Sequence, residues 1–217
     1  MIVNEIFRSI QGESTYSGLP CVFIRLTGCN LRCIYCDTKY AYCQGKKMSV
    51  TQVAKAVKKL YVKGDIIEIT GGEPMLQKDE IEQLLGILPD AQVLIETNGS
   101  VLIPGKRHGW GNMWEYVKFI MDWKCPSSGM NDRMEYVNLE RLDSDDELKF
   151  VIGSDEDYDE MKHILEKYEP TCKVLVSTVW DEENRKRVVE QILDDKLNVR
   201  FQIQIHKIVW DPAKRRV

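Results

Sequence analysis

Apolar residues along the chain follow two rhythms in regular alternation, short continuous runs and helical spacing. Asn4 to Phe7 predicts a short strand, and a polar loop follows, Ser9-Ile10-Gln11-Gly12-Glu13-Ser14, whose glycine permits unusual backbone angles. Val22-Phe23-Ile24-Arg25-Leu26 is an apolar run broken by one arginine, a pattern that suits a strand covered on both faces. Ser49 to Tyr61 predicts a helix with Val53, Val57 and Leu60 on one face and Ser49 as N-cap. Ile66 to Thr70 predicts a strand that runs into Gly71-Gly72-Glu73-Pro74. Helix Asp79–Leu88 and strand Gln92–Glu96 follow, the strand ending in Thr97-Asn98-Gly99. Residues Ser100 to Glu115 are irregular and rich in Gly and Trp. Beyond them come strand Tyr116–Met121, ending in Asp122-Trp123-Lys124, and strand Leu148–Ile152. Helix Asp155–Tyr168, strand Lys173–Thr178, helix Glu182–Lys196 and strand Val199–His206 complete the series. In that last strand a period of two puts Gln202, Gln204 and His206 on one face, either solvated at a sheet edge or lining an interior.

Strands alternating with helices imply an α/β fold of mostly parallel strands with right-handed crossovers. About six or seven strands from Val22 onward are too few for a closed eight-stranded barrel, so the expected architecture is an open, partial βα barrel. No linker or repeat divides the chain, and one domain over residues 1–217 is expected. Chemistry in such folds gathers at the C-terminal ends of strands. Those ends carry a cysteine-rich loop, the Gly-Gly-Glu-Pro turn, Glu96-Thr97-Asn98-Gly99 and Asp122-Trp123-Lys124.

The cysteine loop is Gly28-Cys29-Asn30-Leu31-Arg32-Cys33-Ile34-Tyr35-Cys36-Asp37-Thr38, with a C-x3-C-x2-C spacing. A tight loop can turn three such thiolates toward one inorganic centre. On a 4Fe-4S cluster, three cysteines leave one iron open to chelate S-adenosylmethionine, and the spacing resembles the radical S-adenosylmethionine signature. The alternatives are a zinc site closed by Cys43 as fourth ligand, or three ordinary buried thiols. Arg25, inside an apolar strand, needs an anion. It pairs either with a nearby carboxylate such as Glu13 or with a substrate carboxylate, which a guanidinium binds in bidentate fashion.

Composition narrows the classes further. A formal net charge of −4 and the absence of a basic run disfavour nucleic acid and favour a small-molecule substrate. No apolar stretch approaches the roughly 20 residues of a membrane span, and no signal peptide is visible. Seven cysteines, an odd number, argue against a secreted disulfide framework and fit a reducing cytoplasm. Cys21, Cys43, Cys125 and Cys172 are expected to be free thiols, His163 a surface residue and His108 a loop residue without a role.

Phe7 to Glu13, Phe23 to Leu26, Gly28-Cys29-Asn30, Cys36-Asp37-Thr38, Thr70 to Pro74, Glu96 to Gly99, Asp122 to Lys124 and the ending near His206 together resemble the 7-carboxy-7-deazaguanine synthase family. The resemblance covers nearly the whole chain and implies a magnesium-dependent radical ring contraction of 6-carboxy-5,6,7,8-tetrahydropterin, with loss of ammonia, in 7-deazapurine (queuosine-type) biosynthesis. It implies that Cys29, Cys33 and Cys36 ligate the 4Fe-4S cluster and that Thr38 offers its hydroxyl to Mg2+. Tyr35, Cys36, Asp37, Gly72, Glu73, Asp122, Trp123 and Lys124 would contact S-adenosylmethionine. Ile10, Gln11, Gly12, Glu13, Arg25, Thr70 and His206 would hold the substrate. The further expectations are an electron donor such as flavodoxin or ferredoxin, and a homodimer. One departure is Ser14, where many relatives have glycine. The alternative classes are a glycyl-radical-enzyme activase and a non-catalytic iron–sulfur module.

Overall fold

The computed structural model describes residues 1–105, 113–179, 181–211 and 214–217. Strands β1 (Ile2–Ile10), β2 (Pro20–Leu26) and β3 (Lys46–Lys47) come first, then helix α1 (Val50–Leu60). Strand β4 (Ile66–Gly71), helix α2 (Lys78–Leu85), strand β5 (Val93–Thr97) and strand β6 (Val117–Trp123) follow. Strand β7 (Glu147–Ile152), helix α3 (Asp155–Tyr168), strand β8 (Lys173–Thr178), helix α4 (Glu182–Asp194), strand β9 (Arg200–Phe201) and helix α5 (His206–Val209) complete it. Among the described residues these strands form one sheet in the order β3-β1-β2-β4-β5-β6-β7-β8-β9. β1 pairs antiparallel with both β2 and β3, and every pairing from β2 to β9 is parallel. The sheet has two ends and does not close, so the expected open α/β barrel is what the chain forms.

Local chemistry sets the element boundaries. Ser49 accepts from the Gln52 N–H while the Gln52 side chain accepts from the Ser49 N–H, a reciprocal cap that starts α1. Ser154 and Asp157 do the same for α3. Alternation along each strand then separates two cores. Val22, Ile24, Leu26, Ile67, Ile69, Ile95, Phe119, Met121 and Phe150 face outward and pack under helix residues such as Val57, Leu84, Ile164 and Val188. Phe7, Cys21, Phe23, Ile66, Leu94 and Ile120 face inward and form a smaller apolar plug, with Phe7 and Phe23 stacked at 5.0 Å. Above that plug the inward positions turn polar, and there the site forms.

The last strand corrects an expectation. Only Arg200–Phe201 pairs with β8, not Val199–His206. Past Gln202 the backbone leaves the ladder: the Ile205 N–H donates to the Gly12 carbonyl (3.0 Å), and the chain coils into α5. Gln202 is buried and does not line the cavity described below, although Gln204 and His206 do. His163 is exposed, as expected, and His108 lies outside the described residues. Among the described residues no helix is long and apolar enough to cross a membrane.

Candidate active site

A cavity of about 660 Å³ opens at the C-terminal ends of the parallel strands. One wall is the cysteine loop. Its backbone is pinned by the Gly28 N–H to the Ala41 carbonyl (2.9 Å), the Glu73 N–H to the Gly28 carbonyl (2.7 Å) and the Ile34 N–H to the Ser128 carbonyl (3.0 Å). Leu31 is buried beneath it, and Arg32 caps the carbonyls of Cys29 and Leu31 at 2.8 and 2.6 Å. Cys29, Cys33 and Cys36 are free, half-buried thiols, and all three line the cavity. Burial pushes the Cys29 and Cys33 thiols up, and the three sulfurs act electrostatically on one another.

The donor set fits a 4Fe-4S cluster. Three soft ligands share one wall, while Cys43 is exposed and outside it, which leaves a four-thiolate zinc site without its fourth member. Among the described residues no three cysteine, histidine or acidic side chains converge closely enough to hold a single metal ion. Beside the loop, Gly72 approaches so closely that a Cβ there would meet the Gly28 carbonyl oxygen at 2.1 Å. Tyr35 also lines this wall, and its buried hydroxyl has no hydrogen-bond partner among the described residues.

The interior carries charge. Lys149, buried in β7, lies 2.8 Å from Glu13, 2.5 Å from Glu96 and 3.4 Å from Asp122. Asp122 also pairs with Lys124 at 2.8 Å, and the Thr70 hydroxyl donates to Glu96 at 3.1 Å. Burial alone would raise the Glu13 and Asp122 carboxyls, but the lysines outweigh it and hold both below the ordinary carboxylate range. Gln11 turns its amide N–H onto Glu68, and its carbonyl accepts the Glu13 N–H (2.9 Å), which curls the backbone of the loop after β1. Ser14 then adopts a left-handed φ of 64°, the conformation that glycine takes without strain.

The remaining wall joins the two ends of the sequence. Arg25 Nε donates to Glu5 at 3.0 Å, as do the Tyr40 hydroxyl and Arg216 Nε, both at 3.1 Å. The Arg215 guanidinium stacks over the Tyr40 ring at 3.6 Å. Gln204 Nε2 donates to Glu13 at 2.6 Å, and Lys207 pairs with Asp37 at 2.9 Å. Burial pulls the Asp37 carboxyl up, yet Lys207 and the Thr38 hydroxyl (2.9 Å) bring it down to about 2. A Cβ on Gly12 would meet His206 Nδ1 at 2.0 Å, so loop and imidazole interlock. Burial keeps His206 below its usual value, hence neutral near pH 7.

Most of the residues expected from the sequence gather here. Ile10, Gln11, Gly12, Glu13, Arg25, Cys29, Cys33, Tyr35, Cys36, Asp37, Thr38, Thr70, Gly72, Asp122, Lys124 and His206 all line the cavity. Two side chains do not. Glu73 is wholly buried and accepts from the Met75 N–H (2.8 Å), the Thr97 hydroxyl (2.8 Å) and the Asn98 N–H (2.6 Å), tying the ends of β4 and β5 together. Trp123 follows Asp122 by one residue, so its ring lies on the outer face of β6, where its indole N–H donates to Glu160 (3.1 Å). A third correction concerns Arg25, whose carboxylate partner is Glu5 and not Glu13. Sequence reasoning passed over Glu5, Glu68 and Lys149. The last two carried the signal that marked Arg25, a charge in the middle of a short apolar run.

Comparison with known proteins defines the class first. A family model described as the radical SAM superfamily matches residues 23–194, and the chain belongs to that superfamily of enzymes, which use a 4Fe-4S cluster and S-adenosylmethionine. The 7-carboxy-7-deazaguanine synthase of Koribacter versatilis is 36% identical over 100% of both chains. That of Clostridium acetobutylicum is 39% identical over 99% of this chain and 98% of its own. By this likeness the chain belongs to the 7-carboxy-7-deazaguanine synthase family. The crystal structure of QueE from Escherichia coli has the same fold, with a TM-score of 0.65 at 19% identity over 93% of each chain.

Proposed function

We propose that residues 1–217, as one catalytic unit, convert 6-carboxy-5,6,7,8-tetrahydropterin to 7-carboxy-7-deazaguanine with loss of ammonia, as the relatives' name suggests. The observation that carries this reading is a single cavity with a three-thiol wall on one side and carboxylate- and amide-binding groups on the other. When bound, the cluster and S-adenosylmethionine supply a 5′-deoxyadenosyl radical, the hydrogen-abstracting agent.

Cys29, Cys33 and Cys36 would hold the cluster. The Gly71-Gly72 turn, Tyr35, Asp37, Asp122 and Lys124 would hold S-adenosylmethionine, with the buried Tyr35 hydroxyl free to donate. Thr38 would give Mg2+ its one protein oxygen, which suits a hard ion that keeps most of its ligands from water and substrate. Arg25 spends only Nε on Glu5, so its terminal nitrogens remain for the substrate carboxylate. Thr70, Gln11 and the Gly12 backbone fix the ring, and neutral His206 can accept a substrate N–H. The Arg215–Arg216 segment covers the cavity on the Glu5 side and restricts water there. An external electron donor such as flavodoxin or ferredoxin, a reducing cytoplasm and a homodimer complete the reading.

The test is anaerobic reconstitution, reduction, and addition of S-adenosylmethionine, magnesium and carboxytetrahydropterin, with product followed by absorbance and mass. Carboxydeazaguanine should form, and Cys33→Ala should abolish it. Deoxyadenosine without that product would sink the substrate assignment. No cleavage by a cluster-loaded protein would favour a sensor role.

A further inference from the structure

One group on the cavity floor has no part in the roles above. Glu68 faces inward from β4, two residues below Thr70, in register with Phe23 of β2 and Leu94 of β5. It is set among the apolar plug residues Phe7, Phe23, Leu94 and Ile120, is 2% exposed, and lines the cavity. Glu13, Glu96 and Asp122, which line the same cavity, each have a cation. Among the described residues Glu68 has none. One of its oxygens accepts from the Gln11 amide, which is itself oriented by the Glu13 N–H on its carbonyl. Burial, reinforced by neighbouring Glu96, pushes the Glu68 carboxyl well above the ordinary carboxylate range.

A carboxyl in such a place is costly unless donors reach it. Holding the Gln11 amide requires only one acceptor, which a neutral amide would provide as well. A flat ring that passes Thr70 along the inward face of β4 meets Glu68 next. We propose that Glu68 is a specificity-determining residue that binds the edge of a 2-amino-4-oxopyrimidine ring. The ring N–H and the adjacent amine form two parallel donors matched to the two carboxylate oxygens. The inference rests on the pterin reading above and names the contact that selects the ring. Two N–H donors favour the ionised carboxylate, so docking of the ring opposes the upward push that burial gives the Glu68 carboxyl. The carboxylated end of the ring then points up toward Arg25, Thr70 and the thiol wall.

The test is a binding measurement on the reconstituted, unreduced enzyme with S-adenosylmethionine, so turnover plays no part. Two stable ligands are compared by calorimetry, 6-carboxypterin and 6-carboxylumazine, in which a carbonyl replaces the 2-amino group. Wild type should prefer the pterin by about tenfold or more, because the lumazine carbonyl opposes a carboxylate oxygen. Glu68→Gln, which offers one donor and one acceptor, should bring the ratio to about one or invert it. Glu68→Leu suits the apolar floor, and it should weaken pterin binding and erase the preference. A purely structural role would weaken both ligands alike and leave the ratio unchanged, which overturns the inference. So would a wild type that binds both ligands equally. A wild type that binds neither ligand overturns the pterin reading itself, and the inference with it.

Discussion

Lys149 neutralises carboxylates from three separate parts of the chain, the loop after β1, the end of β5 and the end of β6. Removing the cation while the anions stay buried costs about 3–5 kcal/mol in comparable sites. Lys149→Met is therefore expected to lower turnover by about a hundredfold or more, with iron content unchanged because the cysteine loop is untouched; kinetics alongside iron analysis would check this. Glu73 gives a pH dependence of opposite sign to that of a paired carboxylate. Burial lifts it from 4.5 to about 7 against its three donors. The folded state thus binds the proton more tightly than the unfolded one. Its contribution is full below about 4.5 and lost as pH rises through about 7. The stability advantage of wild type over Glu73→Gln should narrow across that window by on the order of 3 kcal/mol, measured by denaturant titration. Arg25 shows what a sequence does and does not reveal at this scale. Its need for an anion was legible from its apolar neighbours. Its partner was not, because Glu5 meets it through the antiparallel register of β1 and β2.

At the scale of elements, the turn after β4 and the cysteine loop act as one piece. Gly72→Ala should drive the loop away from the Gly28 carbonyl, reduce iron loading after anaerobic reconstitution and lower the melting temperature; iron per chain and calorimetry would decide it. The elements themselves were largely legible. Helical spacing gave α1, and α3 and β8 have the boundaries that the pattern predicts. The failure at β9 has a physical origin. Gln202, Gln204 and His206 alternate as a strand would, but the backbone N–H of Ile205 is taken by Gly12, a partner more than 190 positions away that no local pattern encodes. Trp123 is the converse case, where the motif marked the residue and the alternation of β6 decided its direction.

At the scale of the molecule, Gln204, Lys207, Arg215 and Arg216 reach back to the first forty residues. Gln204 meets Glu13, Lys207 meets Asp37 and Arg216 meets Glu5. Arg215 and Arg216 are exposed, so deleting residues 214–217 should leave the melting temperature within a few degrees and raise KM about tenfold as water enters the cavity. A wild-type KM in the shortened enzyme would show that the segment plays no part in binding.

These contacts also fix when the enzyme becomes an enzyme. The partners stand 191, 170 and 211 positions apart, so the groups that close the cavity leave the ribosome long after those they close upon. The three cysteines of the thiol wall emerge early, and Glu73 and Ser128, which pin its backbone, follow them. The cavity is finished only when almost the whole chain is free. A message cut short before residue 204 would thus yield a chain that carries all three cysteines with Glu5, Glu13 and Asp37 but lacks the partners that close the cavity over them.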